Sequence, residues 1–397
     1  MDVLLSRRRF LFATGAAATL SLWPRFGLAA SAADDTRLLV LLLRGGMDGL
    51  HALQPFGDPT YAQLRGALNQ TRLPGAATGE PIKLDGLFAL HPSLKFSADL
   101  YARKQLLPVV AVAPPYRARS HFDAQDCLEN GTARPGSGGS GWLGRSVVAL
   151  PGAEGLAIAN VMPLIMRGGG EVSTWSPPLP QSVDPLLLQR LQPLYAADAT
   201  LAAAFARAAS DLDAGSAMGK GGRRGGQLPQ LATAAARFMS AANGPRIGFL
   251  EDSGWDTHSG QAGQLARKLA ELDAAVKAFH DGAGAIWPRT VVAIVSEFGR
   301  TARVNGTGGT DHGTGGLAML AGGAVRGGRI AGDWPGLKPG DLYEGRDLRT
   351  TTDLRGLFKG VLAEHLRLDP GLLESRVFPD SRTVPALAGL VASRRPT

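Results

Sequence analysis

Four continuous apolar segments constrain the fold of this chain more than any other feature of its sequence. They are Leu38–Leu43, Leu107–Ala113, Ile247–Leu250 and Thr290–Val295. Each has the length of a β-strand without alternating polar residues, a pattern typical of strands buried on both faces of a parallel sheet. An amphipathic segment, Gln261–His280, lies between the last two. The sequence therefore predicts an α/β fold with a mostly parallel sheet flanked by helices.

The composition is typical of a globular protein, since 44% of the 397 residues are hydrophobic and 19% are charged. We expect residues 34–397 to form a single α/β domain with a helical insertion near 160–230. The formal net charge is +8, and about +5 of it lies beyond residue 33. This weak excess, without a block of Lys and Arg interleaved with aromatics, argues against nucleic-acid binding.

The first 33 residues have the features of an export signal. A twin-arginine pattern, Ser6-Arg7-Arg8-Arg9-Phe10-Leu11, is followed by a short apolar stretch and by small residues at 29–33. The alternative, an N-terminal membrane anchor, would need an apolar helix of about 20 residues, and Pro24 and Arg25 end the stretch before that length. We predict a signal peptide over 1–33, passage through the twin-arginine translocase, a periplasmic or secreted protein, and no stable membrane span.

Polar side chains follow each of the four predicted strands. In strand order they are Asp48; Ser120 and His121; Asp256 and His258; and Glu297, with Asp311 and His312 in the glycine-rich loop beyond it. Ligands of open α/β sheets gather at the carboxyl ends of strands, so we expect these groups to converge. Carboxylates packed together repel one another unless a positive charge lies among them. A divalent metal site is therefore predicted, and oxygen and imidazole ligands without thiolates favour Zn, Mn, Mg or Ca.

Each of these residues also has a purely structural interpretation. Asp48 could be a turn residue, and Asp256 could cap the following helix. Glu297 could pair with Arg300 or Arg303, and His121 could be a hydrogen-bonded histidine of the core. The coincidence of four strand exits nevertheless favours a common site.

Five motifs resemble those of the exported bacterial family catalogued as domain of unknown function 1501. In chain order they read Arg-Gly-Gly-Met-Asp-Gly, Ser-His-Phe-Asp-Ala-Gln-Asp, Gly-Trp-Asp-Thr-His, Ser-Glu-Phe-Gly-Arg-Thr and Gly-Thr-Asp-His-Gly. They span nearly the whole chain beyond the leader. That family is in turn similar to the alkaline phosphatase and sulfatase superfamily, and this similarity implies an alkaline-phosphatase-like sheet with a two-metal site.

The superfamily resemblance implies a role for each matching residue. Ser120 would be the nucleophile, and the metal ligands would be Asp48, Asp256, His258, Glu297 and His312. Two departures stand out. Phe298 replaces a ligating histidine, and one residue rather than three separates the Asp/His pair. These departures imply that the site holds one metal only, or that it has lost hydrolysis.

Two functions follow from these features. The first is an exported metal-dependent hydrolase of phosphate or sulfate esters, acting on a small anionic ester or polymer. In that enzyme His121 would position the leaving group and Arg44 or Arg300 would steady an oxyanion. The alternative is a catalytically degenerate exported binding or assembly protein on the same scaffold, which Phe298 favours. A third possibility, a structural calcium site alone, fits the acids but leaves His258 and His312 without a role.

Overall fold

A computed structural model of the chain describes residues 35–69, 79–177 and 227–392, with a few isolated positions between 192 and 205. The chain divides after Asp35, and every element below belongs to the second unit, Thr36–Thr397. The predicted signal peptide, 1–33, lies outside the described residues, as does most of the predicted insertion near 160–230. None of the helices in the described ranges is long and apolar enough to cross a membrane.

An eight-stranded sheet forms the centre of the unit. Its strands are β1 (Arg37–Leu43), β5 (Leu106–Ala113), β6 (Glu154–Ile158), β7 (Glu171–Trp175), β8 (Ile247–Asp252), β9 (Thr290–Ser296), β10 (Gly316–Ala321) and β11 (Thr352–Asp353). They lie in the order β11-β5-β10-β9-β1-β8-β6-β7. A second, three-stranded sheet has the order β2-β4-β3 and consists of β2 (Leu53–Gln54), β3 (Ile82–Lys83) and β4 (Ala89–Leu90).

The prediction of a mostly parallel sheet is confirmed. All neighbouring strands of the large sheet pair in parallel except β10, which is antiparallel to both β5 and β9. Successive residues of β1 alternate between two hydrophobic clusters, with Leu39 and Leu41 in one and Val40 and Leu42 in the other. Burial on both faces explains why the strand is apolar throughout.

Helices cover both faces of the sheet. The described helices are α1 (Gly49–Ala52), α2 (Tyr61–Arg65), α3 (Lys95–Ala102), α4 (His121–Asn130), α5 (Trp142–Ala149), α6 (Gln227–Ser240), α7 (Gln261–Ala283), α8 (Leu354–His365) and α9 (Pro370–Leu372). Short 3₁₀ segments occur at Gly66–Leu68, Leu164–Met166 and Gly284–Arg289, and a π-helical turn at Leu373–Val377. Helix α7 begins at the predicted residue and buries the predicted stripe, which includes Leu265, Leu269 and Leu272.

The reversed strand β10 determines where the loop between β9 and β10 lies. Because β10 runs antiparallel to β9, the loop of residues 297–315 starts and ends at the carboxyl edge of the parallel strands. It also pairs with itself as a hairpin. The amide of Gly299 donates to the carbonyl of Thr314, and that of Thr301 donates to the carbonyl of Asp311, both at 2.9 Å.

The tip of the same loop meets the start of α7. The amide of Gly260 donates to the carbonyl of Thr307 at 3.1 Å, and the amide of Gln261 donates to the carbonyl of Gly308 at 3.0 Å. No side chain caps this helix, whose N-cap residue is Gly260. Loop carbonyls therefore satisfy the amides of the N-cap residue and of the first helical residue, which have no partner within the helix.

The described part of the predicted helical insertion contains a strand. Glu171–Trp175 forms β7, which pairs in parallel with β6 at the edge of the large sheet. Its residues Val172, Thr174 and Trp175 are β-branched or aromatic, which suits a strand better than a helix.

Candidate functional site

Side chains from four sequence segments meet at the carboxyl edge of the sheet. His121 comes from the first turn of α4, after β5, and Asp256 and His258 follow β8. Glu297 directly follows β9, and the self-paired loop beyond it carries His312. The convergence expected from the strand exits is thus present for these five residues.

The first of three histidines is held by a buried carboxylate. His121 Nδ1 lies 2.7 Å from Glu297 Oε1, and Glu297 is 1% exposed. The same oxygen accepts hydrogen bonds from Gln125 Nε2 and from the amide of Gly45, each at 2.8 Å. An ionised carboxylate only accepts, so Nδ1 of His121 carries a proton, and in the neutral ring Nε2 presents its lone pair.

The pKa values of this pair follow from the same contacts. The hydrogen bond to Glu297 raises the pKa of His121. Burial by itself would raise the pKa of Glu297, but its hydrogen bonds from His121, Gln125 and the amide of Gly45 outweigh burial and lower that pKa. Glu297 therefore remains a carboxylate around neutral pH and keeps the imidazole proton on Nδ1.

The other two histidines have the same arrangement. His312 Nδ1 lies 3.1 Å from the carbonyl oxygen of Arg119, and His258 Nδ1 lies 3.2 Å from Asp311 Oδ1. Arg119 has a φ of 63°, a left-handed conformation that non-glycine residues rarely adopt. Both acceptors place the proton on Nδ1, so Nε2 of each neutral ring is free to act as a ligand.

The three Nε2 atoms converge with the carboxylate of Asp256. His312 Nε2 lies 2.9 Å from His121 Nε2 and 3.0 Å from His258 Nε2. The Asp256 oxygens lie 2.9 Å from Nε2 of His258, 3.3 Å from that of His312 and 3.4 Å from that of His121. Lone pairs that face one another at this distance repel unless a proton or a cation lies between them.

One donor atom each from His121, Asp256 and His312 lies within 4.8 Å of the other two, which makes them the metal-competent group of the described residues. In a tetrahedral zinc site with Zn–N and Zn–O bonds of about 2.0–2.1 Å, ligand atoms lie roughly 3.3 Å apart. The separations of 2.9–3.4 Å among these atoms fit that geometry. Each imidazole also has the Nδ1 acceptor that metal-binding histidines usually have.

Two glycines allow the segments to approach this closely. A Cβ on Gly45, whose φ is +122°, would lie 2.5 Å from the amide nitrogen of Asp256. A Cβ on Gly309 would lie 2.2 Å from the carbonyl carbon of His258. Any larger residue at either position would push a ligand-bearing segment out of place.

The family model described as a protein of unknown function, DUF1501, matches residues 35–377. The chain belongs to the DUF1501 family. No curated protein matches it.

The chain has a distant similarity to solved structures. One is a protein in the alkaline phosphatase superfamily from Vibrio parahaemolyticus, with 10% identity and a TM-score of 0.38 over 83% of this chain and 65% of that one. Another is the phosphonate monoester hydrolase of Agrobacterium radiobacter, with 11% identity and a TM-score of 0.36 over 84% of this chain and 74% of that one. This chain thus spans just under two thirds of the Vibrio structure. Similarity at this level does not identify a function, which depends on the residues of the site.

Two acids of this DUF1501 site contact the Nδ1 side of a histidine ring, opposite the converging Nε2 atoms. Glu297 and Asp311 contact Nδ1 atoms, not the convergence of Nε2 atoms. Among the described residues Glu297 pairs with His121 and with neutral donors, and not with Arg300 or Arg303 as the structural interpretation had it. Asp256 does not cap α7, whose N-cap residue is Gly260.

Asp48 lies in a different environment. It is 0% exposed, forms an ion pair with Arg65 and accepts a hydrogen bond from Gln261 Nε2. It also caps the short helix α1 through the amide of His51. Its oxygens are thus used by donors within the fold, and it is not part of the metal-competent group.

The predicted catalytic groups have these positions. Ser120 is the N-cap residue of α4, and its Oγ accepts from the amide of Asp123 at 3.5 Å. His121 belongs to the metal-competent group. Arg300 is 1% exposed and donates to Asp256 and to the carbonyl of Thr310, so its guanidinium is already engaged.

Two participants, the carbonyl of Arg119 and the side chain of Gln125, escaped the sequence analysis. The carbonyl of Arg119 carries no side-chain signal, so only the structure could identify it. Gln125 lies four residues after His121 on α4, and this helical spacing could have marked it. The ring of Phe298 is buried and packs on His121 and His312, with centroid distances of 4.7 and 5.3 Å.

Proposed function

We propose that this protein is an exported metal-dependent hydrolase of phosphate or sulfate esters. The observation that supports it most is the convergence of three imidazole Nε2 atoms on the Asp256 carboxylate, with an acceptor behind every Nδ1. Nitrogen and carboxylate donors without thiolate suit Zn or Mn, and histidine makes Mg or Ca less suitable.

The ligands we assign are His121, Asp256 and His312, with His258 next to the last two. The bound cation would supply Lewis-acid chemistry, drawing charge from an ester oxygen and making a nearby hydroxyl more acidic. Glu297 and the Arg119 carbonyl would keep the ligating lone pairs directed inward. Arg300 would hold Asp256 in place instead of binding an oxyanion.

For the nucleophile we propose Ser120. It precedes a ligand, His121, and lies at the N-terminal end of α4, where peptide N–H groups favour a developing negative charge. The hydroxyl oxygen would attack phosphorus or sulfur as the P–O or S–O bond to the alcohol breaks, and the serine proton would end on the departing alcohol. Water would then release the product and regenerate the serine.

A second candidate function is a binding or assembly protein that has lost catalysis. Phe298 supports it, because an apolar ring occupies the position next to Glu297 and packs against two of the histidines. The phenyl ring of Phe298 has no lone pair to offer a second metal ion, so a two-metal reaction would lack a ligand at this position.

Elemental analysis and an ester screen distinguish the two. Purified protein should retain a divalent metal and hydrolyse p-nitrophenyl phosphate or p-nitrophenyl sulfate. His312→Ala should lose both properties, whereas His280→Ala, which replaces a histidine beside Asp281 and outside the site, should keep them. Metal without turnover would favour the binding protein. A parent protein that binds no divalent metal would sink both the ligand assignment and the hydrolase.

Export by the twin-arginine route is part of the proposal and rests on residues 6–11 of the sequence. Replacement of both Arg7 and Arg8 by Lys should retain the full-length chain inside the cell, while the parent is found in the periplasm or medium. Equal export of both proteins would contradict this part of the proposal.

A further inference from the structure

A buried polar chain connects Asp48 with the candidate metal site. Its members share almost complete burial, with exposures of 0–1%: Arg65, Asp48, Gln261, Thr257, Thr310 and Arg300. Polar groups buried this deeply need hydrogen-bond partners, so the direction of each bond in the chain matters.

The direction of the hydrogen bonds along this chain is determined by the ion pair at the Asp48 end. Arg65 can only donate, and ionised Asp48 can only accept. Asp48 Oδ2 accepts from Arg65 Nη2 and also from Gln261 Nε2. The amide of Gln261 is thereby oriented, with its NH₂ group toward Asp48 and its oxygen toward the metal site.

Two threonine hydroxyls donate to the amide oxygen of Gln261 and are thereby oriented in turn. Thr257 Oγ1 and Thr310 Oγ1 donate to Gln261 Oε1 at 2.9 and 2.7 Å. Because its hydrogen is used in this way, the Thr310 hydroxyl has lone pairs to accept from Arg300 Nε, at 3.3 Å.

Arg300 forms the last link. Its Nε and Nη2 bond to the hydroxyl and carbonyl of Thr310, which fixes the plane of the guanidinium. The remaining Nη1 then donates to Asp256 Oδ1. The same oxygen lies 2.9 Å from His258 Nε2 and 3.3 Å from His312 Nε2.

We propose that Asp48 is a positioning residue, which orients the Asp256 carboxylate through Gln261, Thr310 and Arg300. The inference rests on the proposed metal site but gives Asp48 a role other than ligation. A lost link in the chain should weaken metal binding even though the ligands themselves are intact. Outer partners of metal ligands commonly change affinity 10- to 100-fold.

The test uses conservative changes in the middle of the chain. Thr310→Val keeps the shape of the side chain and removes the hydroxyl, whereas Thr310→Ser keeps the hydroxyl. Gln261→Met removes both hydrogen-bonding ends at similar volume. Ser97→Ala is a matched control, because Ser97 is buried and its hydroxyl bonds to a buried acid, Asp273, away from the site.

The readouts are Co²⁺ affinity, the visible d–d spectrum of bound Co²⁺ and the thermal unfolding midpoint. We expect Thr310→Val and Gln261→Met to bind Co²⁺ at least tenfold more weakly than the parent and to have an altered spectrum. Thr310→Ser should keep the affinity and the spectrum of the parent. Ser97→Ala should lower only the unfolding midpoint. Parent-like affinity and spectrum in both Thr310→Val and Gln261→Met would overturn the positioning role alone. A parent protein that does not bind Co²⁺ would overturn the proposed function and this role together.

Discussion

Glu297 and Asp48 make an instructive comparison, because both are buried acids at the carboxyl ends of neighbouring strands, β9 and β1. Both carboxyl groups have a lowered pKa although burial alone would raise it. For Asp48 the charge of Arg65 outweighs burial, whereas for Glu297 hydrogen bonds from His121 and Gln125 do. A buried guanidinium neutralises one acid, while the other remains available to fix an imidazole proton. The partner, and not the position at a strand end, decides what each acid can do.

The largest effect should come from breaking the buried ion pair. Asp48→Ala would leave Arg65 charged, unpaired and fully buried, and should lower the free energy of unfolding by about 3–5 kcal/mol. Urea denaturation followed by circular dichroism measures it. Asp99→Ala, which breaks an exposed pair with Arg103, is the control and should cost less than about 1 kcal/mol. Equal losses in both variants would show that Arg65 does not depend on Asp48.

The matching change at the other acid should affect metal affinity more than stability. In Glu297→Gln the side chain loses the charge that keeps the proton on His121 Nδ1, so we expect metal binding to weaken about 10- to 100-fold. A competition titration with a chromogenic chelator measures the affinity. Glu364→Gln is the control, because Glu364 accepts from the amides of Gly389 and Leu390, away from the site. Unchanged affinity in Glu297→Gln would remove Glu297 from the site.

The buried histidine beside Asp48, His51, allows a pH test of how the surroundings of Asp48 differ from those of Glu297. Among the described residues His51 is fully buried with neither ring nitrogen hydrogen-bonded, and burial lowers its pKa to about 3. An unfolded histidine has a pKa of about 6.5, so the unfolded chain takes up the proton first. The contribution of neutral His51 to the free energy of unfolding is complete above about pH 6.5. It falls by about 1.4 kcal/mol per pH unit as the pH is lowered toward 3.

His51→Leu should therefore flatten the dependence of unfolding free energy on pH. Urea denaturation at several values between pH 7 and 5 measures the slope for parent and variant. Parallel slopes would mean that His51 takes up its proton without unfolding.

The smallest effect should follow a change at the exposed rim of the site. The side chain of Asp311 is 49% exposed, and its pKa is lowered first by the hydrogen bond from Asn305 and then by that from His258. Solvent screens such a charge, so Asp311→Asn should weaken metal binding less than about tenfold in the same titration. A loss as large as that of Glu297→Gln would mean that exposure does not separate the two acids.

Much of the scaffold could be predicted from the sequence because its strands are apolar on both faces. The segments that form β1, β5, β8 and β9 were identified within one or two residues, as was the start of α7. The direction of β10 was not predicted. A buried strand has the same apolar pattern whether its neighbours are parallel or antiparallel.

The membership of the site was predicted better than the role of each member. Strand exits indicate which side chains approach an edge, but not which atom of a ring faces inward. That depends on acceptors such as the Arg119 carbonyl, which a residue pattern does not encode. Arg65, the partner of Asp48, lies 17 residues along the chain with no motif to connect them.

The contact between the loop tip and the start of α7 limits how this protein can be altered. Surface loops usually tolerate deletions. In this loop, however, the carbonyls of Thr307 and Gly308 accept hydrogen bonds from the amides of Gly260 and Gln261. Trimming the loop tip would leave the first turn of a 23-residue helix to fray. A Ser, Thr or Asp in place of Gly260 would not compensate, because an N-cap side chain accepts from the second or third helical amide. An engineer who wants a smaller loop therefore has to supply new acceptors for the amides of Gly260 and Gln261.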